Sequence, residues 1–179
     1  KERGVHEMKQ ADLAGWIWEM LHDEYYSTEF IPEGPYSVNA TCTLSDLLKT
    51  YESKFLHVES GLIFGTVAVR DGDGGFQTTA RGKRELDSFT YVERVDHEKR
   101  IVYGRAPIKA TLNAPLLAKM FANPEVDHIV HYHEQVVGLP TYPYAPPGTV
   151  RDTDRPNTTS FNIAEHGCML LFDKEGRML

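Results

Sequence analysis

At Gly61 the periodicity of the chain changes, and that change limits the fold more than any other feature. Before it, apolar residues recur at three- and four-residue steps, the spacing of one helix face. Leu13, Trp16, Ile17, Met20 and Leu21 predict an amphipathic helix over residues 7–26. Leu44, Leu47, Leu48, Tyr51 and Phe55 predict a second helix. It starts at Thr43 or Ser45, both N-cap types, with Asp46 in its first turn. Between the two, residues 27–43 are polar, carry the breakers Pro32, Gly34 and Pro35, and read as a linker. After Gly61 the apolar runs are short and separated by turns. GLIFGTVAVR (61–70) and Phe76–Thr79 flank DGDGG and predict a hairpin. FTYVERV (89–95) and RIVY (100–103) predict two strands around a turn at 96–99. PLLAKMFA (115–122) predicts a helix with proline in its first turn, and 127–133 and 164–172 predict two more strands. This order specifies an α/β (α+β) domain, a mixed sheet flanked by helices.

Charge and cysteine content exclude several function classes. The net charge of −7 lacks the basic footprint that nucleic acid or an acidic membrane surface requires. No stretch approaches the ~20 apolar residues of a spanning helix, and no signal peptide opens the sequence. Cys42 and Cys168 make no disulfide framework, so a reducing compartment, the cytoplasm, is expected.

The residues that could do chemistry are histidines. His131 and His133 stand at i and i+2, which on a strand puts both imidazoles on one face, about 6–7 Å apart. Two such groups can share a divalent metal. Two histidines on a solvated strand face explain the pattern equally well. His166 is the third candidate, just before a glycine and an apolar strand, although a turn histidine would look the same. His128 points to the other strand face and is a bystander, while His6, His22, His57 and His97 form no pattern. DGDGG is no calcium loop, because the twelfth position from Asp71 is Gly82, where a bidentate Glu is needed. The loop at 142–144 either packs itself down or walls a pocket.

Seven segments, in order, resemble the class II aldolase/adducin family: GTVAVRD (65–71), TTARG (78–82), ERVD (93–96), IKATLNAPLLAKMF (108–121), NPEVDHIVHYHE (123–134), YAPPGT (144–149) and EHG (165–167). The resemblance implies a three-layer class II aldolase-like domain over residues 44–179, without the family's usual C-terminal helices. Residues 1–43 would be an N-terminal helix and turn-rich extension. It implies that His131, His133 and His166 hold a divalent metal, Zn²⁺ first among the candidates. It implies a phosphate pocket built by Gly65, Thr66, Arg81 and Gly82. The expected function is that of a metal-dependent lyase or isomerase on a small hydroxy-carbonyl or sugar-phosphate substrate, through enediolate chemistry. The expected partners are that small molecule and further copies of the chain, as a tetramer, with no nucleic acid and no membrane. The sequence departs from the family at one telling place. Asn113 stands where the catalytic carboxylate belongs, and an amide takes no proton at neutral pH. Glu134 points away from the metal face, and Asp152, Asp154 and Glu165 are the remaining acidic candidates. The alternative is an adducin-like, non-catalytic binding or scaffold domain that keeps the fold.

Overall fold

The computed structural model of the chain describes residues 23–32 and 36–179. The helix expected over 7–26 lies outside these residues except for its last four, which are not helical. Residues 27–43, expected as a linker, contain strand β1 (Ser27–Ile31), which pairs in parallel with β7 (Ile101–Arg105). β1 is an edge strand whose Phe30 is still 44% exposed, so it lacks the strong apolar alternation that marks a buried strand.

The second expected helix is present as α1 (Leu44–Tyr51). Thr43 caps it: the Thr43 hydroxyl accepts from Asp46 N at 3.2 Å and donates to the Asp46 carboxylate at 2.8 Å. After the short pair β2 (Leu56–His57) and β3 (Ile63–Phe64) come β4 (Thr66–Arg70), β5 (Phe76–Thr79) and β6 (Phe89–Asp96). Helix α2 (Ala114–Phe121) follows β7. The chain then adds β8 (His128–Tyr132), β9 (Thr141–Tyr142), β10 (Phe161–Ile163) and β11 (Gly167–Phe172). The run 61–70, read as one strand, is split at Gly65. There φ is +137° and a Cβ would sit 2.5 Å from the Phe55 ring. β10 lies inside a segment whose polar residues read as turn.

Among the described residues, nine strands form one mixed sheet in the order β1-β7-β6-β5-β4-β8-β11-β10-β9. Its two outer pairs are parallel and the rest antiparallel. The two-residue period of a strand sorts the core into two layers. Val67, Val69, Val130 and Leu170 pack with Leu44, Leu47 and Leu48 of α1. Ala68, Ile129, Met169 and Leu171 pack with Leu116, Leu117 and Met120 of α2. The expected three layers, helix on sheet on helix, are therefore present. DGDGG closes the β4–β5 hairpin, and the buried Asp71 carboxylate accepts from the Tyr91 hydroxyl at 2.7 Å and from Asn39 N at 3.0 Å.

Candidate metal centre

The strand period that places Ile129 in the α2 layer also places His131 there, at the rim of the sheet. β8 lies between β4 and β11, so His131 stands opposite Thr66 on one side and Met169 on the other. His131 is 2% exposed, and its Nδ1 lies 2.8 Å from the Cys168 carbonyl. A carbonyl only accepts, so Nδ1 carries the ring proton and Nε2 is left with a free lone pair. His133 lies just past the end of β8, with its ring stacked on Phe64 at 5.8 Å. His166 comes from the turn between β10 and β11. Gly167 lets that turn lie against β8, since a Cβ there would sit 2.6 Å from His133 Cα.

The three rings converge, with centroids 4.8–5.1 Å apart. One ring nitrogen from each lies within 4.8 Å of the other two. His166 Nε2 is buried and has no hydrogen-bond partner among the described residues. Such an orphan is costly unless something accepts its lone pair. Three neutral imidazoles with one orphaned nitrogen fit a divalent ion, and Zn²⁺ takes nitrogen donors of this kind.

Electrostatics keep the donors neutral. Burial first, then the neighbouring imidazoles, hold His131 well below its ordinary value. Burial, and then His133, push His166 down to about 4. His133 is lowered by burial and by Lys83. Each folded value lies below the unfolded value of 6.5, so protons favour the unfolded chain. The stability these groups contribute is complete above pH 6.5 and is lost as pH falls towards 4. Metal-free protein should lose about 2–3 kcal/mol from His166 alone across that window. Urea denaturation at both ends, compared with His166→Ala, checks this; equal pH slopes in the two proteins would refute it.

A cavity of about 190 Å³ opens on the three histidines. Gly65, Thr66, Arg81 and Gly82, expected as the phosphate pocket, all line it, and so does Asn113. The Thr66 and Thr111 hydroxyls are 3.1 Å apart, and Asn113 Nδ2 lies 3.5 Å from Thr66 Oγ1. Arg81 Nε donates to the Ala110 carbonyl at 3.1 Å. No carboxylate is among the described residues that line the cavity. Glu134 points outward to Lys54 at 3.0 Å, Asp152 is paired with Arg155, and Asp154 and Glu165 are exposed. The loop at 142–144 packs down, with Tyr142 on Phe161, and Tyr144 sets its ring edge on His166 at 5.5 Å, but none of its residues lines the cavity.

Lys83 also lines the cavity, and sequence reasoning missed it. In RGKR, beside a turn glycine, a lysine looks solvent-exposed, yet Lys83 is only 6% exposed. His128 lies at the other end of β8, stacked on Phe172 at 4.9 Å and 3.1 Å from the Asp127 carboxylate. Cys42, Asp127 and His128 form a second cluster within 4.8 Å. There Asp127 already accepts from Thr41, and burial pushes the Cys42 thiol up to about 11, so the cluster is satisfied as a hydrogen-bonded support. A larger open groove of about 710 Å³, with Glu93, Arg94 and Lys119 along it, includes none of the three histidines.

Neither a protein-family model nor a curated protein sequence matches this chain. Solved structures do match its fold. One is YgbL from Escherichia coli, for which aldolase, epimerase and decarboxylase are named as alternatives. It superposes with a TM-score of 0.54 at 15% identity, over 73% of this chain and 76% of its own. An L-fuculose 1-phosphate aldolase superposes with a TM-score of 0.52 at 13% identity, over 72% of each chain. At these identities the likeness is one of fold, and the fold is that of the class II aldolases. Among the described residues no helix is long and apolar enough to cross a membrane.

Proposed function

We propose that the chain is a divalent-metal-dependent lyase or isomerase acting on a small hydroxy-carbonyl or sugar-phosphate substrate. The observation that carries this reading is His166 Nε2, buried, without a hydrogen-bond partner among the described residues, and grouped with two other neutral imidazoles at a cavity. His131, His133 and His166 would hold the ion, Zn²⁺ being the best fit to three nitrogen donors. When bound, such an ion polarises a carbonyl or hydroxyl oxygen.

The chain's own residues do the rest. The Cys168 carbonyl fixes the tautomer and plane of His131. Arg81, half-buried and tied to the Ala110 carbonyl, offers its remaining N–H groups to an anionic end of the substrate. Backbone N–H groups at Gly82, where φ is +61°, suit the same anion. Thr66 and Thr111 line the same cavity, their hydroxyls 3.1 Å apart. The cavity is well below the roughly 300 Å³ at which pockets for drug-sized ligands begin, which selects a substrate of few carbons.

The test is elemental mass spectrometry on untagged protein beside His131→Ala, His133→Ala and His166→Ala. About one metal per chain, lost in each variant, is expected. Aldol-cleavage and epimerase screens on small sugar phosphates then follow. Native protein that takes up no metal would sink the proposal and favour a non-catalytic scaffold, the reading that Asn113 supports on its own.

A further inference from the structure

The proposed chemistry needs a group that can take a proton and give it back. Asn113 cannot, and the cavity has no carboxylate among its described lining residues. The ionisable side chains that do line it are the three imidazoles, Arg81 and Lys83. The imidazoles are engaged if they hold the ion, and a guanidinium does not release its proton. Lys83 remains.

Its placement fits the role. The Lys83 ammonium donates to the Gly65 carbonyl and lies 5.4 Å from the centre of the Phe55 ring. Among the described residues it has no carboxylate partner. Its backbone is pinned too, because Ile63 N donates to Lys83 O at 3.0 Å. The amine is therefore fixed at the wall of the cavity, against the β3–β4 junction at Gly65. A buried ammonium without a counter-ion is disfavoured, and burial pushes Lys83 down to about 8. At pH 7.5 that leaves roughly a quarter of the amines neutral, where an unperturbed lysine would have about 0.1%.

Resting on the metal-site reading above, we infer that the Lys83 amine is the proton-transfer group of this cavity, a catalytic base and then acid in place of the missing carboxylate. The neutral amine takes the hydroxyl proton of a β-hydroxy carbonyl compound. The O–H electron pair becomes the second bond of the departing carbonyl, and the carbon–carbon bond breaks. Its electron pair stays on the other fragment as an enolate. The ammonium then returns the proton to that carbon. Nothing is oxidised, and no co-reactant is consumed.

Three readouts test this on the full chain. Limited acylation over a pH series, followed by peptide mass spectrometry, reports when Lys83 loses its proton and needs no metal. A midpoint near 8 is expected; a midpoint at the ordinary lysine value overturns the inference. Lys83→Arg keeps the charge but cannot release the proton. It should retain metal, and affinity for inorganic phosphate within about threefold, while turnover falls about 100-fold. Native-like turnover in this variant overturns the inference, since charge alone would then suffice. So does a borohydride-trapped adduct of Lys83 with glycolaldehyde phosphate, which would mean a covalent role. Lys83→Met separates a structural role from a catalytic one. The folded value lies below 10.5, so the unfolded chain binds the proton more readily and stability is lost as pH falls from 10.5 through 8. At pH 7 the Met variant should therefore melt higher than native, whereas a lysine kept for its hydrogen bond to Gly65 would make it melt lower. A native chain without metal would remove the reading beneath the inference. The acylation midpoint distinguishes that failure from one of Lys83 itself.

Discussion

Gly167→Ala is expected to cost at least about 3 kcal/mol and to abolish metal uptake. Two independent penalties act there. The backbone has φ +120°, which side-chain-bearing residues rarely adopt. An added Cβ would lie 1.9 Å from the Tyr132 carbonyl oxygen and 2.6 Å from His133 Cα. Both are backbone atoms of the segment that carries His133, so relief requires β8 and the His166 turn to separate. Gly176→Ala is the control. It has φ +76° but open space around the new methyl, so only the backbone term of about 1 kcal/mol applies. Urea denaturation of both variants checks the difference. A Gly167→Ala protein within 1 kcal/mol of native would show that the turn is not held against β8.

Arg155→Met is expected to cost about 3–5 kcal/mol at pH 7.5. Arg155 donates through Nε and Nη2 to Asp152 Oδ1 at 3.0 and 2.8 Å, and the two side chains are 4% and 2% exposed. Removing the guanidinium strands a buried carboxylate. Arg155 Nη1 also holds the Pro143 carbonyl at 3.0 Å, so the loop that brings Tyr144 to His166 loses an anchor. The pH dependence has a definite sign. Burial raises Asp152 from 3.8 to about 6 even with Arg155 present, so the folded chain binds the proton more tightly than the unfolded one. Arg155 holds that value down, so the variant takes up the Asp152 proton at higher pH than native, and its deficit should shrink as pH falls towards 6 and level off below it. Paired urea curves at pH 7.5 and 5 read the deficit, and Asp152→Asn in the same background should remove most of it. A deficit that grows on acidification would contradict the account.

Much of the fold was legible because its signals are local. The hairpin at DGDGG, the strands flanking 96–99 and both described helices follow from period and turn chemistry that each segment carries by itself. What escaped was set by neighbours. β1 is an edge strand that buries too little to alternate strongly. β10 is three residues long, and its partner β11 supplies the context that makes it a strand. The three histidines were visible as a constellation because H-x-H and H-G sit beside recognisable strands. Lys83 was invisible, since nothing in RGKR says that β3 will fold over it. Its burial is a property of the assembled sheet rim.

The position of His131 between Thr66 and Met169 has a consequence for how the chain reaches its native state. Side chains alternate along β8, so a slip of one residue against β4 or β11 would turn His131 into the α1 layer and bring Tyr132 to the cavity. The alternating Ile129 and Val130 are of similar size and apolarity, so the core by itself discriminates weakly between the two alignments. An ion that needs all three imidazoles would bind only the correct one, and by mass action would draw misaligned chains towards it. Refolding yield should then rise with metal present from the first instant and rise less when metal is added after the sheet has formed. The same three residues would serve as a proofreading contact for strand alignment before any substrate arrives.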